Sequence, residues 1–318
     1  VIVISEDVWS EGFANLAKTH TIIHEPDLWN RREDLKALLK DATALIVRNR
    51  TQVNTEIFAA APKLKIVGRA GVGLDNIDIK SADAHGVVVS AALGINAVAV
   101  GELTLGLALA LLRRVTELDQ STRNGAWDRR AGSEISGKTW GMLGFGATAR
   151  ALARLLKGFD VKVLACDPFA KIDDSFTKEV NVSLVSSDEV ISHSDVISLH
   201  MPATPETTKM INGATLAAMK AHAVIINVGR GELIDEEALE DALVRKVIAG
   251  AALDVRASEP PKDTRFTSLQ NVILTPHIAG ITAESQSKIN EVLVSEVERS
   301  LKGTPSQYAV GAVKEFKK

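Results

Sequence analysis

Short runs of Val, Ile, Leu and Ala recur along this chain with no polar alternation inside them. A run of that kind is what a strand looks like when helices cover both faces of its sheet. Runs at 1–4, 21–24, 44–47, 65–67 and 87–90 form one series. Runs at 139–143, 161–165, 196–199, 224–227, 248–253 and 272–274 form a second. Amphipathic stretches such as 28–39 and 55–60 lie between them. Strand, helix and strand at this spacing predict right-handed βαβ units and parallel sheets, hence an α/β fold. Two series predict two sheets, and 318 residues are too many for one average core. Segment 98–123 is too long for an ordinary crossover and reads as a connecting helix at the seam. A last helix is expected over 282–301, where Ile289, Val292, Leu293 and Val297 repeat at helical spacing. The Lys-rich end, Lys314 to Lys318, is expected to be a frayed tail.

Composition removes several classes of function. Lys+Arg 37 against Asp+Glu 40 gives a net charge of −3, which argues against a nucleic-acid or membrane-surface protein. Cys166 is the one cysteine, so an internal disulfide framework and a zinc ribbon are excluded and a reducing compartment is allowed. The longest apolar stretch, 103–112, is too short to span a bilayer and is flanked by Glu102 and Arg113. No signal-peptide pattern precedes the first run, and the expected location is cytoplasmic. No histidine stands at a metal-ligand spacing, so no metal site is expected.

The segment Gly144-Phe145-Gly146-Ala147-Thr148-Ala149 joins a predicted strand to a predicted helix. Gly144, Gly146 and Ala149 occupy the three positions of the Gly-x-Gly-x-x-Gly/Ala fingerprint. The first allows a tight turn, the second lets backbone approach a pyrophosphate, and the third is small where helix packs on strand. The N–H groups opening the helix then face phosphate. Asp167 ends the next strand, placed to hydrogen-bond ribose hydroxyls and to repel a 2′-phosphate, which favours NAD over NADP. The alternative for Asp167 is a turn cap before Pro168.

Three charged residues follow late strands, where ligands bind in open α/β sheets. They are Arg230 in Gly-Arg-Gly, Glu259 in Ser-Glu-Pro-Pro, and His277 in Thr-Pro-His. A guanidinium holds a carboxylate through two hydrogen bonds. A histidine moves a hydroxyl proton. A carboxylate beside that histidine orients it and raises its pKa. Taken singly, each has an ordinary alternative: a salt-bridging Arg, a surface Glu, a structural His. The other histidines, His200 among them, lack such company. In the first series, Arg48 and Arg50 follow a strand. The glycine-rich turn through Val72 and Gly73 precedes a helix, and its N–H groups could grip an anion. The alternative there is a loop that needs glycine dihedrals.

Together these segments resemble the D-isomer-specific 2-hydroxyacid dehydrogenase family, especially its D-3-phosphoglycerate dehydrogenase branch, over nearly the whole chain. The resemblance rests on 67–78, Gly94-Ile95-Asn96, 101–104, 124–127, the glycine loop, Asp167-Pro168, 199–202 and the three charged segments. It implies two Rossmann-like or flavodoxin-like parallel-sheet domains with a cleft between them. The substrate domain would be discontinuous, 1–97 and 283–318, and the NAD-binding domain would be 98–282. It implies NAD as cofactor, a homodimer, and a small anionic 2-hydroxy or 2-keto acid as substrate. Arg230 would bind the substrate carboxylate, His277 would be the acid/base, and Glu259 would pair with it. Arg48, Val72 and Gly73 would line the substrate pocket, where Arg48 and Arg50 could hold a second anionic group. Asp254 would hold the nicotinamide carboxamide, and Met201, Val228 and Gly280 would line the cofactor with Gly144, Gly146, Ala147, Thr148 and Asp167.

The chain departs from the family at two places. Ala147-Thr148 stands where Arg-Ile is common, so a phosphate-binding cation is missing and weaker cofactor binding is expected. Arg256 stands where an aromatic residue is common, and is expected to reshape the cleft or to add an anion contact. With the chain ending at Lys318, feedback by serine through an appended domain is not expected. The activity expected is hydride transfer between nicotinamide and C2 of a small D-2-hydroxy acid or 2-keto acid, with 3-phosphoglycerate/3-phosphohydroxypyruvate and glyoxylate/hydroxypyruvate as candidates. The alternative is an NAD(H)-sensing, corepressor-like binding protein of the same fold.

Overall fold

A computed structural model of the chain describes residues 1–170 and 175–317. It divides into two compact units, Val1–Asn96 with Thr282–Lys318, and Ala97–Ile281. The first unit carries β1 (Ile2–Ile4), β2 (Ile22–His24), β3 (Ala44–Val47), β4 (Ile66–Arg69) and β5 (Val88–Ala91), all parallel, in the order β2-β1-β3-β4-β5. Alternate residues serve opposite faces, which is why the strands are apolar apart from Ser90 and the terminal His24 and Arg69. Val3, Leu45, Val47 and Val67 pack against Leu35, Leu39, Ile57 and Phe58. Ile2, Ile4, Ile46 and Ile66 pack against Phe13, Leu16, Ile289 and Leu293.

The helix Ala283–Lys302 returns to this unit. Thr282 opens it with a reciprocal cap to Ser285, and Gly303 closes it at φ 68. It lies close on β4, because a Cβ at Gly68 would sit 2.9 Å from Leu293 Cδ2. The segment after it is docked rather than frayed. Val310 N–H donates to Val89 O at 2.9 Å, Ala312 and Val313 N–H donate to Asp83 Oδ1, and Lys314 Nζ donates to Ala309 O. Lys318 lies outside the described residues.

The second unit carries β6 (Thr139–Leu143), β7 (Lys162–Cys166), β8 (Val182–Leu184), β9 (Val196–Leu199), β10 (Val224–Asn227), β11 (Gly250–Leu253) and β12 (Val272–Leu274). They form one parallel sheet in the order β12-β11-β10-β9-β6-β7-β8. Its two faces bury Trp140, Met142 and Ile226 against Leu107, Leu152 and Leu156, and Leu143, Ile197 and Ile225 against Val190, Leu216 and Leu239. β8 escaped the sequence reading: it is a three-residue edge strand interrupted by Ser183, too short and polar to signal burial. The single connecting helix expected over 98–123 is instead two, Ala97–Leu112 and Val115–Arg123. Arg114 between them takes the left-handed conformation (φ 55), and Leu112 O accepts from Ser133 N–H. Among the described residues, no helix is long and apolar enough to cross a membrane.

Candidate active site

Both sheets change direction of winding at one point, between β1 and β3 in the first unit and between β6 and β9 in the second. Loops leaving the carboxyl ends of strands diverge there and leave room for a ligand.

In the second unit, the turn after β6 is the glycine loop. Gly144 has φ +89, and a Cβ on it would lie 2.9 Å from the carbonyl carbon of His200 at the end of β9. Here glycine is required by the protein itself. Gly146 differs: its φ of −78° suits any residue, and a Cβ there would meet nothing within 4 Å. Its smallness therefore serves something other than the fold, as a pyrophosphate lying over the loop would need. It precedes the helix Ala147–Leu156, which has no side-chain N-cap, so first-turn N–H groups face outward. Ala149 is fully buried. These residues fit a dinucleotide.

Asp167 directly follows β7. Its Oδ2 accepts from Phe145 N–H and its Oδ1 from Phe169 N–H, each at 2.8 Å. It is thus a turn cap over Pro168 and also a brace for the glycine loop. Each oxygen keeps lone-pair capacity for a further donor.

The three charged segments meet at the same end of this sheet. His277 Nδ1 lies 2.6 Å from Glu259 Oε2. The hydrogen bond that His277 donates to Glu259 raises the His277 pKa above its ordinary 6.5, against a burial effect that lowers it. Burial pushes Glu259 up, but the bonds from His277 and from Arg256 N–H, with the charges of His277 and Arg230, outweigh it and hold the carboxyl below its usual value. The positive charge of Arg230 thus reaches both partners. Arg230 Nη1 donates to Gly229 O at 2.8 Å, and Asn227 shapes its loop by bonding Arg230 O and Gly229 N–H.

Asp254 is 1% exposed, and its carboxylate accepts from Thr275 Oγ1 at 2.6 Å and from the N–H groups of Ile278 and Ala279 at 2.9 Å. His277 itself is left-handed (φ 56), a conformation that costs a non-glycine residue about 1–2 kcal/mol. Asp254 and its own carbonyl, which accepts from His277 N–H at 2.8 Å, hold the loop there. Met201 and Gly229 are in backbone contact range, since a Cβ on Gly229 would lie 2.8 Å from Met201 O. Val228 is half-buried beside them, and Gly280 closes the turn after Ala279.

Arg256 corrects the sequence expectation. It is 9% exposed, paired in two bonds with Glu236 at 2.8 and 2.9 Å, and lies over the Phe266 ring. The guanidinium is committed to the interior, and Arg256 acts through its backbone N–H on Glu259.

In the first unit, Arg48 and Arg50 lie on the loop after β3. Sequence reasoning missed what shapes this loop. Glu6, 3% exposed at the end of β1, accepts from the N–H groups of Arg48, Asn49, Arg50 and Thr51 at 2.8–3.2 Å. Burial pushes its pKa up, and these N–H groups outweigh that and lower it. Asn76 Nδ2 donates to Arg48 O and Thr51 O from the other side. Arg50 also stacks over Trp29. Val72 and Gly73 lie half-buried in the turn before Asn76, and no hydrogen bond to their N–H groups is formed among the described residues. The one signal for Glu6 in the sequence is an acid two residues past the first buried strand.

Fold and site define a dinucleotide-binding α/β protein with a histidine–carboxylate pair at the same sheet end as the glycine loop. The family described as D-isomer specific 2-hydroxyacid dehydrogenase, NAD binding domain, matches residues 105–279, more than half of the chain, and the chain belongs to that family. It is 43% identical over 284 residues to D-3-phosphoglycerate dehydrogenase 2, chloroplastic, of Arabidopsis thaliana, covering 88% of this chain and 45% of the relative. It is 38% identical over 282 residues to the D-3-phosphoglycerate dehydrogenase of Methanocaldococcus jannaschii, covering 88% and 53%. The chain thus spans about half the length of the curated relatives it matches. Among solved structures, an NADPH-dependent glyoxylate/hydroxypyruvate reductase from Sinorhizobium meliloti, in complex with NADP and malonate, superposes with a TM-score of 0.86 at 25% identity over 100% of this chain and 98% of that one.

Proposed function

We propose that this chain is an NAD-dependent oxidoreductase acting at C2 of a small D-2-hydroxy acid or its 2-keto acid. One observation carries the proposal: the His277–Glu259 pair, with the Arg230 charge beside it, stands at the same sheet end as the glycine loop. When bound, the nicotinamide supplies or accepts the hydride. The chain's own residues do the rest. Arg230 clamps the carboxylate and polarises the carbonyl. His277, whose protonated form is favoured by Glu259, gives its proton to the carbonyl oxygen in reduction and takes it back in oxidation. Asp254 holds the His277 loop and, with Met201, Val228 and Gly280, borders the nicotinamide end.

Arg48 and Arg50 supply positive charge for a second anionic group, and Val72 and Gly73 supply N–H donors. Those features support 3-phosphoglycerate/3-phosphohydroxypyruvate, which the relatives' names also support, ahead of glyoxylate and hydroxypyruvate. Asp167, whose negative charge opposes a 2′-phosphate, supports NAD over NADP. A homodimer formed through the second unit is supported by exposed apolar side chains there, Trp127 at 82% and Val98 at 59%. A cytoplasmic location rests on composition, chiefly the single cysteine.

The test is NADH absorbance with 3-phosphohydroxypyruvate, glyoxylate and hydroxypyruvate, for wild type and His277→Ala. Turnover with one acid that drops by about 10²–10⁴-fold in the variant is expected. Saturable NADH binding without turnover on any acid would favour the sensor alternative, and equal activity in the variant would sink the mechanism.

A further inference from the structure

His200 was passed over as a lone histidine, yet it joins the two loops at the winding reversal of the second unit. Its Nδ1 lies 3.2 Å from Thr148 Oγ1, and its Nε2 lies 3.0 Å from Ser198 Oγ. Trp140 Nε1, which can only donate, reaches the same Ser198 Oγ at 2.8 Å. Satisfying the buried Ser198 hydroxyl assigns a direction to each hydrogen. Ser198 is fully buried, and its oxygen accepts from Trp140. Its own hydrogen needs an acceptor, and the acceptor within reach is His200 Nε2. Burial drives the His200 pKa down to about 3, so the ring is neutral and carries one hydrogen. That hydrogen is on Nδ1, and it is donated to Thr148 Oγ1. Thr148 Oγ1 is thereby filled as an acceptor on this side, and its hydroxyl hydrogen is left to donate elsewhere.

Thr148 is the second residue of the helix Ala147–Leu156, half-exposed beside the outward N–H groups and the open space over Gly146. We propose that the Trp140–Ser198–His200 chain locks Thr148 as a hydroxyl donor to the cofactor pyrophosphate, replacing by a directed neutral donor the cation that this chain lacks at Ala147-Thr148. The proposal rests on the dinucleotide reading of the glycine loop and adds to it a polarity that spacing alone does not define. An oriented hydroxyl gains from the same first-turn N–H groups, because all of them point at one anion. A hydrogen bond from a neutral donor to a charged acceptor is stronger than one between neutral groups, and weaker where half-exposed than where buried. The expected effect is therefore about a tenfold change in affinity.

The experiment measures binding of NADH, ADP-ribose and adenosine by calorimetry to wild type, Thr148→Val and Thr148→Ser. Thr148→Val, nearly isosteric and without the hydroxyl, should weaken NADH and ADP-ribose by about five- to tenfold and leave adenosine unchanged. Thr148→Ser should stay within about twofold of wild type. Unchanged NADH affinity in Thr148→Val overturns the proposal, as does an equal loss for adenosine, which carries no pyrophosphate. The lock is read separately by ¹⁵N NMR of the His200 ring. A neutral ring with the hydrogen on Nδ1 at neutral pH is expected, and an Nε2–H ring or an imidazolium overturns it. Wild type that binds neither NADH nor ADP-ribose would remove the dinucleotide reading itself, an outcome distinct from a wild type that binds and a variant that does not lose.

Discussion

A histidine is an ordinary residue until something sets its charge. In His277 the charge is set by Glu259 at 2.6 Å, and the backbone is held left-handed by the loop's bonds to Asp254. The sign of the pH dependence follows. Glu259 favours the imidazolium, so the donor form persists above the ordinary 6.5 and the reduction rate falls only as pH rises through the raised value. Glu259→Gln removes that support and leaves burial, which lowers the pKa. The alkaline fall of kcat/KM for reduction should shift down by about one pH unit, equivalent to about 1.4 kcal/mol. A pH–rate profile of the two proteins checks it; an unmoved midpoint would separate Glu259 from the proton transfer. The pairing of these two residues is not visible in their spacing. They come from different loops, and it was the family resemblance, added to their position after buried strands, that paired them.

Loops make up the next scale, and here legibility was uneven. The glycine loop was readable because each of its small residues answers a local demand: a positive φ at Gly144, open space at Gly146, burial at Ala149. The loop carrying Arg48 and Arg50 was harder to read, because its shape comes from a carboxylate about forty residues away, on the loop after β1. Glu6 fills the nest of four N–H groups. It acts as a positioning residue for the two guanidiniums. Glu6→Gln leaves donors facing an amide and should lower stability by about 1–3 kcal/mol, read from the denaturant midpoint. The KM for a doubly anionic keto acid should rise by about tenfold, with NADH affinity unchanged. Because the folded pKa of Glu6 lies below 4.5, its contribution is complete above that value and is lost as pH falls through the lowered one. The tail after Gly303 is another case: its docking depends on backbone pairing with β5 and on Asp83, partners far away in sequence.

At the scale of the whole molecule, mostly apolar runs translated into two parallel sheets, because a strand covered on both faces keeps a polar residue only where it is hydrogen-bonded, as Ser198 is to Trp140 and His200. β8 was lost for the converse reason, being a short edge strand exposed at Ser183. Assembly is legible only in what is left uncovered. Trp127, 82% exposed on the segment between the helix Val115–Arg123 and β6, is an apolar side chain that a second copy could cover. Trp127→Arg should convert the expected dimer to monomer in sedimentation velocity, and a wild-type monomer at micromolar concentration would remove the dimer from the account. The central claim is hydride transfer with D selectivity at C2, and chiral analysis of the product tests it most directly. Incubated with NADH and 3-phosphohydroxypyruvate, glyoxylate or hydroxypyruvate, the chain should consume NADH with at least one of them. Where the product has a stereocentre, it should form the D-2-hydroxy acid in amount equal to the NADH oxidised. An L product, or saturable NADH binding with no product from any of these acids, would contradict it.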